Sequence, residues 1–589
     1  MFGTKWKLSE RKYNVIVERD VSIPMSDGVV IDSDLFRPDT KEKVPVVLGV
    51  HGYAKGNYPY SVGHESGIPH LFCRRGYAHI VINVRGSGKS TGEYTNYGPR
   101  EVKDTYDVIQ WIADQPWCDG NVVMWGVSYF AVAQLQIAAL NPPHLKAIVP
   151  ISSYTDFYRM KFYPGGIYWH AFTKTWGGNI FWDSKNGKFA NWSREKMGEA
   201  KYEEAVAQAL QDRDICAVPY LVDALKNPDH AENTLLVDTI LNPFDTEYYQ
   251  ERNPALEKIK VPALLVARWS EYAMHLPGTL QAWEKIQGPK KMIIGPPIHL
   301  AGPPVYQLQY EAIRWYDYHI KGIDNGIMDE PPIRLFVPGT NRWKTANDWP
   351  LPETIWTPFY LHPKGLLSEM EPWTEGGSSM FEDSIINPGG NLKFYSPPLV
   401  EDTEIIGPSV LNLYASTNSD EALWFIGLLD VDPEDKERLL TEGWLRGSQR
   451  ELDPTRSKPW APFHPHSKRE PLLPNEIYEF NVGIASQANM FRAGHRIGLR
   501  IGCEEPEAGT TEPHTLQVAR PQSDGLSSKP RTSLESISLG HFWSTRLWNQ
   551  TPKVVTVYHN AEEASHILLP ITRGNLMGTY VNYSLHLRA

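Results

Sequence analysis

Residues 119–131, Asp-Gly-Asn-Val-Val-Met-Trp-Gly-Val-Ser-Tyr-Phe-Ala, constrain the fold of this chain more than any other stretch. The run 121–125 has the apolar character of a buried strand. Gly126-Val127-Ser128 breaks it abruptly. Residues 131–140 then read as a helix, with Val132, Leu135, Gln136 and Ala139 at three- and four-residue spacing. A strand, a tight turn with serine at its apex and a helix make a nucleophile elbow. Such a turn lifts a hydroxyl to the top of a sheet. The helix start behind it presents unpaired N–H groups to a developing negative charge. The usual pattern is Gly-x-Ser-x-Gly, and here Phe130 stands in place of the second glycine. A small residue at that point lets helix and strand pack closely, and Ala131, one place later, is expected to serve instead.

The chain around the elbow alternates strand and helix. Continuous apolar runs at 44–50, 76–84 and 146–150 read as strands buried on both faces, and 104–113 is an amphipathic helix between them. Residues 12–36 alternate about the turn Met25-Ser26-Asp27-Gly28 and read as a β-hairpin. The strand pattern resumes at 261–267 and 291–295, with helices at 278–286 and 306–320. This implies a parallel α/β sheet interrupted by an insertion. The insertion begins with a dense aromatic run, from Tyr154 to Trp182, and continues in polar-faced helices at 196–211, 219–225 and 231–241. From about residue 353 short alternating strands and Gly, Pro and Asn turns dominate, and 505–535 reads as a long loop. The division expected is a first α/β part at 1–153, a helical cap at 154–253, a second α/β part at 254–352 and a β-sandwich at 353–589.

Composition narrows the function. The 589 residues carry a net charge of −11, with 41% hydrophobic and 22% charged residues, so the chain is globular and a polyanion such as nucleic acid is not its partner. Four cysteines, Cys73, Cys118, Cys216 and Cys503, form neither a metal motif nor a disulfide framework. No signal-length apolar core opens the sequence and no stretch of membrane-spanning length occurs. A cytoplasmic protein with no metal and no cofactor is expected, acting on a small molecule without membrane or nucleic-acid contact, and a homodimer is left open. The glycine-rich segment 85–92, Arg-Gly-Ser-Gly-Lys-Ser-Thr-Gly, is not a phosphate loop, because its glycine spacing is wrong and Thr91-Gly92-Glu93-Tyr94 continues as loop.

Acyl transfer to water needs a nucleophile, a base, a group that orients the base and donors for the oxyanion. In α/β-hydrolases these follow in the order Ser, acid, His, each just past the C-terminal end of a strand. That filter matters among 19 histidines and 69 acidic residues. It selects His299, shortly after 291–295, and Glu271, shortly after 261–267. His275 is set aside as too close to the acid. Ser128 is then the nucleophile, with the backbone N–H of Tyr129 as one oxyanion donor and a second from the loop after 44–50, either the phenol of Tyr53 or backbone N–H groups there. Tyr154, Phe157, Trp169, Phe172 and Trp269 are candidates for the substrate pocket.

Several further stretches extend the pattern along most of the chain. They are the segment 85–92; Glu101 with Asp104 and Asp107 ahead of Trp111; Gln115-Pro116-Trp117-Cys118-Asp119-Gly120; Gly295-Pro296 ahead of His299; and, in the β region, Leu429-Asp430-Val431, Thr441-Glu442-Gly443 and Ala493-Gly494-His495-Arg496. Together with Gly126-Val127-Ser128-Tyr129 they resemble the cocaine esterase / X-Pro dipeptidyl peptidase (CocE/NonD) family of serine α/β-hydrolases. The resemblance implies an α/β-hydrolase sheet, a helical cap and a C-terminal jelly roll, with the same nucleophile and base and with the Tyr53 hydroxyl and the Tyr129 N–H as oxyanion donors. The family's Gly-Trp-x-Asp is Arg268-Trp269-Ser270-Glu271 here, and the longer Glu side chain implies a loop set further back. Relatives acting on α-amino acyl groups carry extra carboxylates just after the acid, whereas Tyr272, Ala273 and Met274 are uncharged. The expectation is an ester hydrolase, or an amide hydrolase, for a neutral or aromatic acyl group. An acyltransferase, an aminoacyl ester or X-Pro peptidase, and a binding protein with a vestigial elbow are the alternatives.

Overall fold

The computed structural model describes residues 6–53, 65–170, 172–174, 176–177, 189–297, 304–373, 375–383, 390–503 and 553–574. Ten strands make the first sheet: β1 (Val15–Pro24), β2 (Val30–Pro38), β3 (Val44–His51), β4 (Ala78–Asn83), β5 (Cys118–Val127), β6 (Leu145–Ile151), β7 (Ala263–Arg268), β8 (Lys290–Gly295), β9 (Ile333–Val337) and β10 (Arg342–Ala346). Their order is β1-β2-β4-β3-β5-β6-β7-β8-β9-β10. The pairs linking β4 through β9 are parallel, and the outer pairs are antiparallel. The apolar runs that read as buried strands are buried along their whole length in β3 and β4. From β3 the chain first steps to β4 on one side and then returns to β5 on the other. The C-terminal ends of β3 and β5 therefore meet where the winding reverses, the place where open α/β sheets leave a crevice. His51 closes β3 and Ser128 follows β5 at that point.

The insertion between β6 and β7 opens with a wide turn, Phe157–Phe162, closed by the N–H of Tyr163 donating to the carbonyl of Tyr158 at 2.7 Å. Helices Trp192–Met197, Glu199–Ala209, Pro219–Lys226 and Thr234–Leu241 follow. The pattern at 196–211 predicts one helix. Gly198, at φ +75°, divides it into two, a conformation that glycine takes without steric cost. No described helix is long and apolar enough to cross a membrane.

The C-terminal region contains β11 (Ile355–His362), β12 (Leu366–Ser368), β13 (Ser378–Asp383), β14 (Asn391–Tyr395), β15 (Thr403–Thr417), β16 (Leu423–Val431), β17 (Glu437–Arg446), β18 (Tyr478–Phe491), β19 (Arg496–Gly502), β20 (Lys553–Tyr558) and β21 (His566–Arg573). The resemblance implies a jelly roll; the described strands show the coarser feature of a ladder that closes on itself. It runs β15-β18-β17-β16-β19-β14-β12-β11-β21, and β21 pairs again with β15. The result is a barrel-like domain, thinnest where Gly443 alone pairs with Ile484 and Leu366 with Tyr395. Closure rests on β15, a 15-residue strand whose register shifts at Gly407, at φ +144°. Such bulges bend and twist a strand enough to face two neighbours. The loop expected at 505–535 lies outside the described residues.

A buried charge cluster ties the barrel to the cap. Arg446 on β17 contacts Asp214 of the cap at 2.7 Å and Glu421 of the barrel at 2.7 Å. Burial raises the proton affinity of Glu421, but Arg446 and the Ser448 donors outweigh it and leave the carboxyl below its ordinary range. Removing one member of such a cluster strands the others. Arg446→Met should therefore destabilise the protein by about 3 kcal/mol or more. A thermal melt should show a clearly lower midpoint, and an unchanged midpoint would mean that the cluster holds nothing together.

Candidate active site

The elbow is built from close approaches. Ser128 lies at φ +58° and ψ −107°, and the helix Tyr129–Ala138 begins at the next residue, two positions earlier than the sequence pattern suggests. A non-glycine residue at such angles costs on the order of 1–3 kcal/mol and persists only where its surroundings over-determine it. Here the Ser128 N–H donates to the carbonyl of Ile151 on β6 at 2.9 Å, and the Ser128 carbonyl accepts from Ala131 and Val132 at 3.0 Å. Gly126 sits at φ +143°, and a Cβ on it would lie 2.3 Å from the Cβ of Phe130. The Phe130 ring finds its space over Gly49 of β3, where an added Cβ would come within 3.2 Å, and stacks on His51 at 4.8 Å. The room that a second glycine would have provided is thus supplied by Gly49 and Gly126.

An imidazole meets the Ser128 hydroxyl, and it belongs to His275. Its Nε2 is 3.3 Å from Ser128 Oγ. The sequence argument set His275 aside as too close to Glu271, yet it is the ring in contact with Ser128. His275 is the first residue of the helix His275–Lys285, and the single turn Trp269–Glu271 ahead of it folds the chain back under the elbow. Its Nδ1 is buried and has no hydrogen-bond partner among the described residues. Burial pushes its pKa down to about 4, against the opposing charge of Glu271. His299, the base expected from the motif, lies outside the described residues.

Glu271 is fully buried two strands from the elbow, at the end of β7. Its Oε1 accepts from Ser152 Oγ at 2.8 Å and from Arg268 Nη1 at 2.9 Å, and its Oε2 accepts from the Arg268 N–H at 3.2 Å. The extra methylene relative to Asp lets the carboxylate reach back to its own strand. Gly295, the last residue of β8, stands opposite Arg268 in the register. The segment leading to His299 therefore leaves the sheet beside the arginine that holds Glu271.

Tyr129 occupies the first helical position, so its N–H is one of those left without an intrahelical acceptor. Its phenol is anchored by Glu101, 2.7 Å away, which also accepts from Thr95 and Tyr97. Glu101 is part of the sequence pattern that carries the resemblance, and its position explains why: it fixes the residue beside Ser128. Asp104 similarly holds Arg85, at 2.5 and 2.7 Å. Tyr53 packs edge-on against Tyr129 at 5.9 Å, and its hydroxyl accepts from the Trp176 indole at 3.2 Å.

The aromatic start of the insertion forms one wall. The Tyr154 ring is 6.0 Å from His275 and 5.1 Å from Phe157, and Phe172 stacks on Trp176 at 6.5 Å. Trp169 is buried behind Phe172 at 4.9 Å, a layer further from the nucleophile. Trp269 does not join them. Its indole donates to the carbonyl of Phe336 on β9 at 2.6 Å, and its ring packs on Trp349, so it is committed to the far side of the β7 turn. Tyr97 and Trp176, which the sequence did not single out, complete the wall: Tyr97 stacks on Tyr129 at 3.9 Å and on Trp176 at 6.1 Å.

Two effects can be measured directly. Gly126→Ala forces a Cβ into Phe130 and should lower the melting midpoint, with loss of activity from a displaced Ser128; a fully stable, active variant would contradict the packing described. Burial also holds histidines neutral, His79 and His170 down to about 3 and His275 to about 4. Below the unfolded value of about 6.5 the unfolded chain takes up protons that these sites refuse. Stability present above pH 6.5 is therefore lost as pH falls toward 4, by at most about 1.4 kcal/mol per pH unit per site. Replacing His275 with Gln should flatten the fall in melting midpoint between pH 6.5 and 5, and identical slopes would show that His275 is not held neutral.

Comparison with known proteins matches this architecture. Residues 27–301 match the X-Pro dipeptidyl-peptidase (S15 family) model, and residues 325–568 match the X-Pro dipeptidyl-peptidase C-terminal non-catalytic domain. The chain is 26% identical to a cocaine esterase from Rhodococcus sp. (strain MB1 Bresler), over 95% of this chain and 99% of that one. It is 26% identical to a putative serine esterase from Mycobacterium bovis, over 81% and 89% of the two chains. A putative Xaa-Pro dipeptidyl-peptidase from Bacillus anthracis is 24% identical, over 86% and 83%. In fold, a CocE/NonD family hydrolase from Staphylococcus aureus superposes with a TM-score of 0.77 at 24% identity, covering 95% and 94% of the two chains. The chain belongs to the CocE/NonD, X-Pro dipeptidyl-peptidase-like family of serine hydrolases, enzymes that act on esters or peptides.

Proposed function

We propose that this enzyme hydrolyses a carboxylic ester, or an amide, of a neutral or aromatic acyl group through an acyl-enzyme on Ser128. The observation that carries the reading is the strained Ser128 with an imidazole on its hydroxyl, beside a wall of aromatic rings. Ser128 Oγ attacks the acyl carbonyl and its proton passes to an imidazole. The Tyr129 N–H and the Tyr53 hydroxyl face the oxyanion, each donor lowering the barrier by about 3–4 kcal/mol. The imidazolium then protonates the departing alcohol or amine, and water repeats the sequence on the acyl-enzyme. Esters are favoured over aminoacyl substrates because no carboxylate follows Glu271 in Tyr272-Ala273-Met274, and the Tyr272 hydroxyl is spent on Glu442 at 2.9 Å.

The base in this reading is His299, oriented by Glu271. Two points support it. The β8 segment departs beside Arg268, and among the described residues Glu271 Oε2 accepts one hydrogen bond, from the Arg268 N–H, with a lone pair left for an imidazole N–H. A proton acceptor also works best with a pKa near the working pH, and His275 at about 4 is a weak one. The second reading takes His275 as the base because it is the ring in contact with Ser128.

Steady-state turnover of phenyl esters distinguishes the two. Ser128→Ala should lose activity by a factor on the order of 10³ or more. His299→Ala should fall nearly as far, and His275→Gln by about tenfold or less. The opposite ranking of the two histidine variants would assign the base to His275, and undiminished turnover by Ser128→Ala would remove the serine mechanism altogether.

A further inference from the structure

The wide turn Phe157–Phe162 carries one side chain that the mechanism does not use. Lys161 is fully buried, and among the described residues no atom accepts a hydrogen bond from its amine. Five aromatic rings surround the Nζ instead: Trp176 at 3.5 Å, Tyr97 at 4.5 Å, Phe162 at 5.0 Å, Tyr154 at 5.2 Å and Phe157 at 5.5 Å. Three of these rings also contact the groups around Ser128, Tyr97 through its stack on Tyr129 at 3.9 Å. Tyr154 is 6.0 Å from the His275 ring, and the Trp176 indole donates to the Tyr53 hydroxyl at 3.2 Å. The amine therefore sits one ring behind the groups around Ser128, within the wall expected to hold the acyl group.

The surrounding charges do not satisfy it. Glu101 acts on Lys161 only at a distance, and its oxygens already accept from Thr95, Tyr97 and Tyr129. Arg252 adds a second positive charge nearby. Ring faces attract an ammonium, but they do not replace the water removed from it. Burial accordingly pulls the proton affinity of Lys161 well below that of an ordinary lysine, with Arg252 acting in the same direction and Glu101 against it. A Met or Leu would fill the same space without a stranded donor. Among the described residues the amine has no acceptor oxygen, and one with negative charge would take the N–H and restore the proton. An ammonium on the substrate would instead meet the positive charges of Lys161 and Arg252.

We propose that Lys161 is a specificity-determining residue that binds a carboxylate on the acyl group, so that the preferred substrates are monoesters of aromatic dicarboxylic acids. This rests on the hydrolase reading and narrows it: the rings take the aromatic skeleton, and the amine takes its second carboxylate.

The test compares kcat/KM for phenyl benzoate with that for the monophenyl esters of isophthalic and terephthalic acid and for phenyl 4-(aminomethyl)benzoate. In the wild type at least one carboxylate ester should exceed phenyl benzoate tenfold, and the ammonium ester should fall tenfold below it. Lys161→Met should reduce the carboxylate-to-neutral ratio by a hundredfold or more. A ratio that the substitution leaves in place, or both carboxylate esters poorer than phenyl benzoate in the wild type, would overturn the proposal. If Lys161→Met shows no cooperative melt, inhibition of the wild type decides: isophthalate or terephthalate must inhibit at least tenfold more tightly than benzoate, and equal or weaker inhibition rejects the role. Turnover of all four esters by Ser128→Ala at the wild-type rate would instead reject the hydrolase reading beneath it.

Discussion

The structure depends on the packing that holds Ser128 in a backbone conformation it would not choose. A positive φ at a serine is affordable only because β5, β6 and the following helix leave it no alternative. Phe130 is central to that arrangement. A large ring at a position usually given to glycine looks like a defect in the motif. It becomes a wedge, because Gly49 on the neighbouring strand and Gly126 on its own leave a slot for the ring. The hydroxyl is then presented at the reversal of strand order, with the first helical N–H groups behind it. Geometry set by steric contact, before any hydrogen bond to substrate, decides what the site can do.

Around this point the enzyme spends buried polar groups on positioning. Glu101 fixes the ring of Tyr129, Arg85 is clamped by Asp104, and Arg268 with Ser152 fixes Glu271. The barrel contributes from a distance: Glu442 on β17 accepts from Tyr272, the residue after Glu271, and Arg446 on the same strand joins the cap. One strand of the C-terminal domain therefore touches both elements that border the nucleophile. A C-terminal domain of this kind stabilises the site by bracing the turn that carries Glu271 and the insertion that carries the aromatic wall.

Much of this was legible in the sequence where a local signal exists. The period-2 and continuous apolar runs located the strands of the α/β sheet, since burial on both faces leaves an unbroken hydrophobic record. The elbow was legible from the abrupt Gly-Val-Ser break, and the cap from its change to aromatic and then polar-faced helical pattern. Three things were not. Closure of the β-domain depends on long-range pairing of β21 with both β11 and β15, and strand-level alternation does not encode which edges meet. The contact of His275 with Ser128 spans 147 positions and is made by a helix start rather than a strand end, so a rule based on strand ends passes over it. Lys161 lies within an aromatic run whose composition says nothing about where its amine points. Trp269 was misplaced for a related reason: its neighbour Glu271 faces inward, and a single turn between them sends the indole to β9.

The proposed mechanism depends on Ser128 Oγ being the atom that carries the acyl group. The most direct measurement is the site of covalent capture: the enzyme is reacted with a fluorophosphonate, digested, and the modified residue located by mass spectrometry. The account predicts stoichiometric phosphonylation of Ser128, loss of turnover in step with its extent, and no adduct in Ser128→Ala. An adduct confined to another residue, or full activity after complete modification of Ser128, would contradict it.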